Sequence, residues 1–160
     1  MTSPHVVIAG GGIGGLTAAI ILAQNGAVVK LVEQADAFTE IGAGLQQSPN
    51  AMHVHAAMGT DQAVIAAGFE PEFAALRDYA TGHALLTTPL TDMCRARYGQ
   101  PYIHIHRADL QSILVDAAKA AGVQFHMGHT VQSYEQNSLC VTLKSGTDIF
   151  SGDALSLIHI

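Results

Sequence analysis

The first forty residues alternate between continuous apolar runs and glycine-rich breaks. Residues 5–9 are short and rich in valine and isoleucine, the composition of a strand covered on both faces. Residues 10–15 are glycine at every position but Ile13. Residues 16–24 then carry alanine, isoleucine and leucine without a breaker, which predicts a helix packed on most sides. Asn25-Gly26 supplies a helix stop, and residues 27–33 return to the β-branched composition of a second strand. Strand, glycine turn, helix and strand in this length form a βαβ crossover, so the two strands are expected to be parallel.

Beyond Glu33 the pattern loosens. Residues 34–48 are expected to be a loop holding Ile41-Gly42-Ala43-Gly44. Pro49 opens a helix through Met58 that Gly59 closes, and residues 61–67 add one or two further turns. Residues 69–90 are irregular, with Tyr79-Ala80-Thr81-Gly82-His83 resembling the turn of a hairpin. Residues 89–101 read as an excursion or loop, 102–106 as a short strand, and 107–121 as a helix closed by Gly122. In that helix Leu110, Ile113, Leu114 and Ala117 share a face at helical spacing. Residues 123–126 are a third core strand, and 131–134, 139–143 and 147–150 form a small antiparallel meander.

Composition narrows the function classes. With 49% hydrophobic and 12% charged residues the chain is globular, and a net charge of −6 with scattered Lys and Arg gives nucleic acid no basic surface. Cys94 and Cys140 lie far apart without a Cys-x-x-Cys spacing, which excludes a disulfide framework or cysteine zinc site. They fit reduced thiols in a cytoplasmic protein. No basic-apolar leader and no apolar run of membrane length appear, so a soluble protein with no membrane span is expected.

Chemistry enters at the glycine run. Gly10-x-Gly12-x-x-Gly15 fits the dinucleotide fingerprint: the first glycine makes the tight turn, the second lets a pyrophosphate approach the backbone, and the third lets helix and strand pack closely. A helix beginning near Ile13 would offer unpaired N–H groups to the phosphates. Glu33 stands about 20 residues on, at the end of the second strand, where a carboxylate can bind a ribose diol. A tight turn with no ligand is the bland alternative, disfavoured by the ordered strand, helix and acidic residue. No Lys-Ser or Lys-Thr follows the glycines, so a nucleoside-triphosphate loop is excluded. The fingerprint by itself does not separate FAD from NAD.

Three spaced segments carry a more specific resemblance. Val7-Ile8-Ala9-Gly10-Gly11-Gly12-Ile13-Gly14-Gly15-Leu16, then Glu40-Ile41-Gly42-Ala43-Gly44-Leu45-Gln46-Gln47-Ser48-Pro49-Asn50-Ala51-Met52, then His106-Arg107-Ala108-Asp109-Leu110, resemble FAD-dependent aromatic-ring monooxygenases of the salicylate and 3-hydroxybenzoate hydroxylase group. The fold class this implies is α/β: a Rossmann-like FAD-binding βαβ domain with a small antiparallel β meander, incomplete at the C-terminus. The resemblance implies that Gly10, Gly12, Ile13, Gly14 and Gly15 line the FAD pyrophosphate and that Glu33 holds the adenosine ribose with Gln34 beside it. It implies that the Gly44-Leu45 backbone approaches the flavin end. Arg107 would reach the phosphate and ribose region, where guanidinium geometry suits paired oxygens, and Val131 would offer its backbone to the adenine. The chain departs from the family at His53, where relatives carry Arg.

As the resemblance implies, NADH or NADPH is co-substrate, and a flavin C4a-hydroperoxide transfers oxygen to a small aromatic, phenolic substrate. Alternatives are an FAD-dependent oxidase or dehydrogenase and a non-catalytic partial dinucleotide-binding module. No catalytic acid or base is assigned. His104 and His106 share a strand face without a third ligand at predictable spacing, so no metal site is expected. Residues 1–154 are expected to be the N-terminal part of an FAD-binding domain, with a substrate-domain excursion beginning over about 69–101. Residues 155–160 resemble the translated adapter end of transposase-based sequencing libraries, with a natural apolar strand as the bland alternative. An inactive fragment is therefore expected, lacking the family's second fingerprint after Ala154 and most of the substrate-covering sheet.

Overall fold

The computed structural model describes residues 3–38 and 42–157. Glu40 and Ile41 of the second family segment, and 158–160 of the suspected adapter tail, lie outside the described residues. The chain divides into two compact units, Met1–Glu40 with Gln111–Ile160, and Ile41–Leu110.

The first unit is built on a four-stranded parallel sheet in the order β11-β1-β2-β7. Strand β1 (His5–Ala9) leads through the glycine loop into α1 (Ile13–Gln24), and β2 (Val28–Val32) returns parallel to β1. That is the predicted βαβ crossover. Period-two alternation splits β1 between two faces: Val7 and Ala9 pack with Val32, Leu143 and Phe150, while α1 buries Leu16, Ala19 and Ile20.

The third parallel strand, β7 (Gln124–His126), lies beside β2. The chain then crosses the sheet as an antiparallel meander, β8 (Ser133–Gln136), β9 (Val141–Ser145) and β10 (Asp148–Gly152). It comes back into the sheet as β11 (Ala154–Leu157), parallel to β1 on the side away from β2. The return is tightly pinned. Asp153 N–H donates to the His5 carbonyl at 2.7 Å, and His5 N–H donates to Asp153 Oδ2 at 2.7 Å. A methyl at Gly152 would sit 2.8 Å from the His5 carbonyl oxygen, so no side chain fits there.

The second unit holds β3 (Gly44–Gln47) paired antiparallel with β6 (Ile103–His106). Around this pair come α2 (Pro49–Met58), α3 (Asp61–Ala67), the hairpin β4 (Phe73–Arg77) and β5 (Ala84–Pro89), and α4 (Thr91–Tyr98). Gly59 ends α2 in the left-handed region at φ 76°. Helix α5 (Arg107–Ala120) begins in this unit and continues into the first.

Three expectations are corrected. The loop over 34–48 contains β3, a strand without β-branched residues that exists because β6 offers it a partner, with Tyr102 Oη donating to Gln46 Oε1 at 2.7 Å. The loop over 89–101 contains α4, which buries Cys94 and is tied back by an Arg95–Glu70 pair at 2.7 Å. The buried face of α5 runs through Leu110, Gln111, Leu114, Val115 and Ala118, rotated from the predicted stripe, because Gln111 is buried while Ile113 and Ala117 are only half-covered.

Candidate dinucleotide site

The glycine loop leaves the carboxyl end of β1 with Gly10 at φ 106°, backbone that a side chain rarely adopts. Gly10 N–H donates to the Val32 carbonyl at 2.8 Å, which locks the turn onto β2. Gly12 is the N-cap of α1. No side chain caps it and no acidic residue stands in the first turn, so the amides at Ile13 and Gly14 face outward without a competing carboxylate of their own helix. Among the described residues nothing lies within 4 Å of where a Cβ on Gly12 would project. Open space beside Gly12 and a helix N-terminus without a side-chain cap make this a cradle for an anion.

Glu33 is fixed on every side. Its N–H donates to the His126 carbonyl and its carbonyl accepts from His129 N–H, both at 2.9 Å. Its carboxylate accepts from Gly11 N–H at 2.6 Å and from Ala35 N–H at 2.9 Å. A carboxylate has about four acceptor sites, so two stay open for a diol. The bond from His129 to Glu33 also carries the following segment past the strand end, which brings Val131 into reach.

These contacts frame a cleft of about 430 Å³ at the carboxyl ends of β1 and β2. Gly10, Glu33, Gln34 and Val131, four of the predicted residues, line it together with His129, Tyr134 and, from the suspected adapter tail, Leu157. In open parallel sheets ligands lodge outside the carboxyl strand ends where the order reverses, and β1 with neighbours β2 and β11 is that point here. Gly12 lines a smaller adjoining cavity with Gly11, Phe38 and Gln111. Ile13, Gly14 and Gly15 form the first turn of α1, with Gly15 buried as close packing requires.

Gly44, Leu45 and Arg107 belong to the other unit, where they lie near one another. Gly44 pairs with His106, and Arg107 N–H donates to the Ala43 carbonyl at 3.3 Å. A methyl on Gly42 would meet Arg107 Cβ at 2.7 Å, so that glycine is needed for the arginine to pass. His53 donates from Nε2 to the Tyr98 carbonyl at 2.8 Å and serves as a link between α2 and the end of α4.

Two histidines sit in settings that sequence reasoning did not distinguish. Burial holds His55 below its ordinary pKa, with Asp61 opposing, and its ring bonds Thr60 Oγ1 and Gln47 Oε1. His126 is lowered first by burial, then by His129 and Lys30; its Nε2 is buried without a hydrogen-bond partner. Its ring packs 4.8 Å from that of Phe150. Phe38 and Gln111, both against the glycine loop, were also missed. Gln111 directly follows the Arg107–Leu110 segment, but a polar residue in an amphipathic helix reads as solvated. No three metal-ligating side chains converge among the described residues.

The fold and cleft define a dinucleotide-binding protein of the parallel-sheet type. Residues 3–145 match the family model described as FAD binding domain, and the chain belongs to that family. It is 36% identical over 115 residues to 6-hydroxynicotinate 3-monooxygenase of Pseudomonas fluorescens, covering 72% of this chain and 30% of that protein. It is 37% identical over 139 residues to 3-hydroxybenzoate 6-hydroxylase of Polaromonas naphthalenivorans (strain CJ2), covering 86% and 35%. Among solved structures, HpxO of Klebsiella pneumoniae complexed with FAD superposes with a TM-score of 0.82 at 29% identity, over 95% of this chain and 38% of that one. The chain thus spans about a third of the length of the curated relatives it matches.

Proposed function

We propose that the full-length protein is an FAD-dependent monooxygenase that hydroxylates a small aromatic, phenolic substrate with NADH or NADPH and O2. The observation that carries the reading is the cleft at the ends of β1 and β2, where Gly10, Glu33, Gln34 and Val131 meet beside an uncapped helix. FAD, when bound, supplies the redox and oxygen-transfer chemistry. This chain's residues would do the holding. The amides of Gly12, Ile13 and Gly14 receive the diphosphate, with Gly10 and Gly15 shaping the turn. Glu33 takes the ribose diol, Gln34 flanks it, and the Val131 main chain meets the adenine. Arg107 adds a guanidinium for the anionic oxygens, and the Gly44-Leu45 main chain faces the flavin.

In this reading residues 1–154 are the front of the FAD-binding domain, 69–101 begin the substrate-domain excursion, and 155–160 derive from a sequencing adapter. The pairing of β11 with β1 uses main-chain bonds and asks of its residues only an apolar buried side, which Leu155 and Leu157 meet. No described helix is long and apolar enough to cross a membrane. With Cys94 and Cys140 both free thiols, we place the protein in the cytoplasm, where NAD(P)H is at hand.

The test is NAD(P)H oxidation by the purified full-length protein with candidate phenols and isotopically labelled O2. Oxidation stimulated by the phenol, with label in the product, supports the reading. Substrate oxidation without label and without NAD(P)H would assign the protein to the FAD oxidases or dehydrogenases instead.

A further inference from the structure

Gly11 occupies the variable position of the fingerprint, yet it is the most restrained residue of the loop. Its N–H donates to Glu33 Oε2 at 2.6 Å, and its carbonyl accepts from Gln111 Nε2 at 3.4 Å. Its α-carbon faces the Phe38 ring: a methyl there would lie 2.7 Å from Phe38 Cε1 and 3.2 Å from Glu33 Oε2. Gly10 and Gly12 on either side have no described residue within 4 Å of the same position. Phe38 is itself braced edge-on by Phe125 of β7, with centroids 5.6 Å apart and planes at 84°. Gln111 is only 6% exposed, so its amide is committed to the interior.

We propose that Phe38 and Gln111 are positioning residues of the dinucleotide site, clamping Gly11 together with Glu33 so that the glycine loop is in its ligand-ready shape before the cofactor arrives. The inference rests on the dinucleotide-binding reading above. A run of glycines has more backbone freedom than any other sequence. A loop that samples other shapes lowers apparent affinity in proportion to the fraction that is competent. Three restraints from three separate segments remove that freedom: a carboxylate at the end of β2, a ring braced by β7, and an amide on α5. The residue types suit the task. Gln111 donates to a carbonyl without bringing a negative charge toward a diphosphate, as Glu would. Phe38 fills the space beside Gly11 without offering a donor that competes for Glu33.

The test measures FAD affinity by reconstituting the full-length apoprotein and following flavin fluorescence. Gly11→Ala is expected to weaken FAD binding about tenfold, and Phe38→Leu, which takes away the ring that bears on Gly11, to weaken it about threefold with the apoprotein melting midpoint held within about 2 °C. Gln111→Met, which keeps volume and removes the donor, is expected to weaken binding about fivefold with the apoprotein melting midpoint held within about 2 °C. Phe38→Leu or Gly11→Ala as tight as wild type overturns the clamp while leaving the dinucleotide reading intact. A fall in the Gln111→Met midpoint that matches its loss of affinity assigns Gln111 to packing and overturns its positioning role. Wild-type protein that takes up no FAD defeats the earlier reading, and the clamp with it.

Discussion

Strands β1 and β4 have the same length and opposite fates. Four of the five residues of β1 are buried, while every residue of β4 is exposed. In β1 the buried side chains meet partners supplied within the same unit: α1 and β2, or the meander. In the β4–β5 hairpin Phe73, Leu76, Leu85 and Leu86 keep from 51% to 65% of their surface exposed, because two strands cannot cover their own faces. The difference separates two sources of order. The parallel sheet is specified by contacts the chain contains, whereas the hairpin holds its shape through main-chain pairing and a turn in which Asp78 accepts from Thr81.

Substitutions break the contrast most sharply. Ile8→Ala, at a fully buried site, should cost about 3 kcal/mol in urea unfolding of this 160-residue chain, whereas Leu85→Ala, at a site 65% exposed in it, should stay within about 0.5 kcal/mol. Equal effects would erase the distinction. Next in size is Glu33→Ala. Removing the carboxylate that fastens Gly11 and would hold the ribose should weaken FAD binding by about 2 kcal/mol, close to thirtyfold, by fluorescence titration.

Acid sharpens the comparison, because each unit carries one histidine with a lowered pKa. Burial, the leading cause for each, makes His55 and His126 harder to protonate in the fold than in the unfolded chain, where they titrate near the ordinary value of 6.5. Above that pH neither contributes to the slope. As pH falls below it, the unfolded chain takes up protons that the folded chain refuses, so stability is lost. His55→Gln and His126→Gln should each flatten the decline measured by urea unfolding below pH 6.5; an unchanged slope refutes the assignment for that residue. A modest cost is expected at Gly59, whose φ of 76° makes Gly59→Ala cost about 1 kcal/mol in the same assay.

What could be read in advance divides along the same line. The βαβ unit, the helix from Pro49 to Met58 with its glycine stop, and the hairpin turn around Gly82 were legible because each is punctuated locally. Strand β3 was not, since Gly-Leu-Gln-Gln has no strand preference and owes its state to β6. Helix α4 was hidden by its shortness and polarity. Gly99 at its end, Asp92 in its first turn and Arg95 and Arg97 in its last were nevertheless signals consistent with the helix dipole. At the cleft, Gly10 and Glu33 could be placed from spacing, and Gln34 and Val131 from the family resemblance. Phe38 and Gln111 could not, because their roles depend on which turn of α5 and which ring meet Gly11, and no periodicity encodes that.

The central claim is that the α1 amides and Glu33 recognise the ADP portion of the cofactor. Its most direct test is competition in the full-length apoprotein. ADP should displace FAD in wild type and lose that ability in Glu33→Ala, while FMN, which has no adenosine, should fail to displace it. FMN that competes as well as FAD itself, or ADP that does not compete at all, would contradict the account.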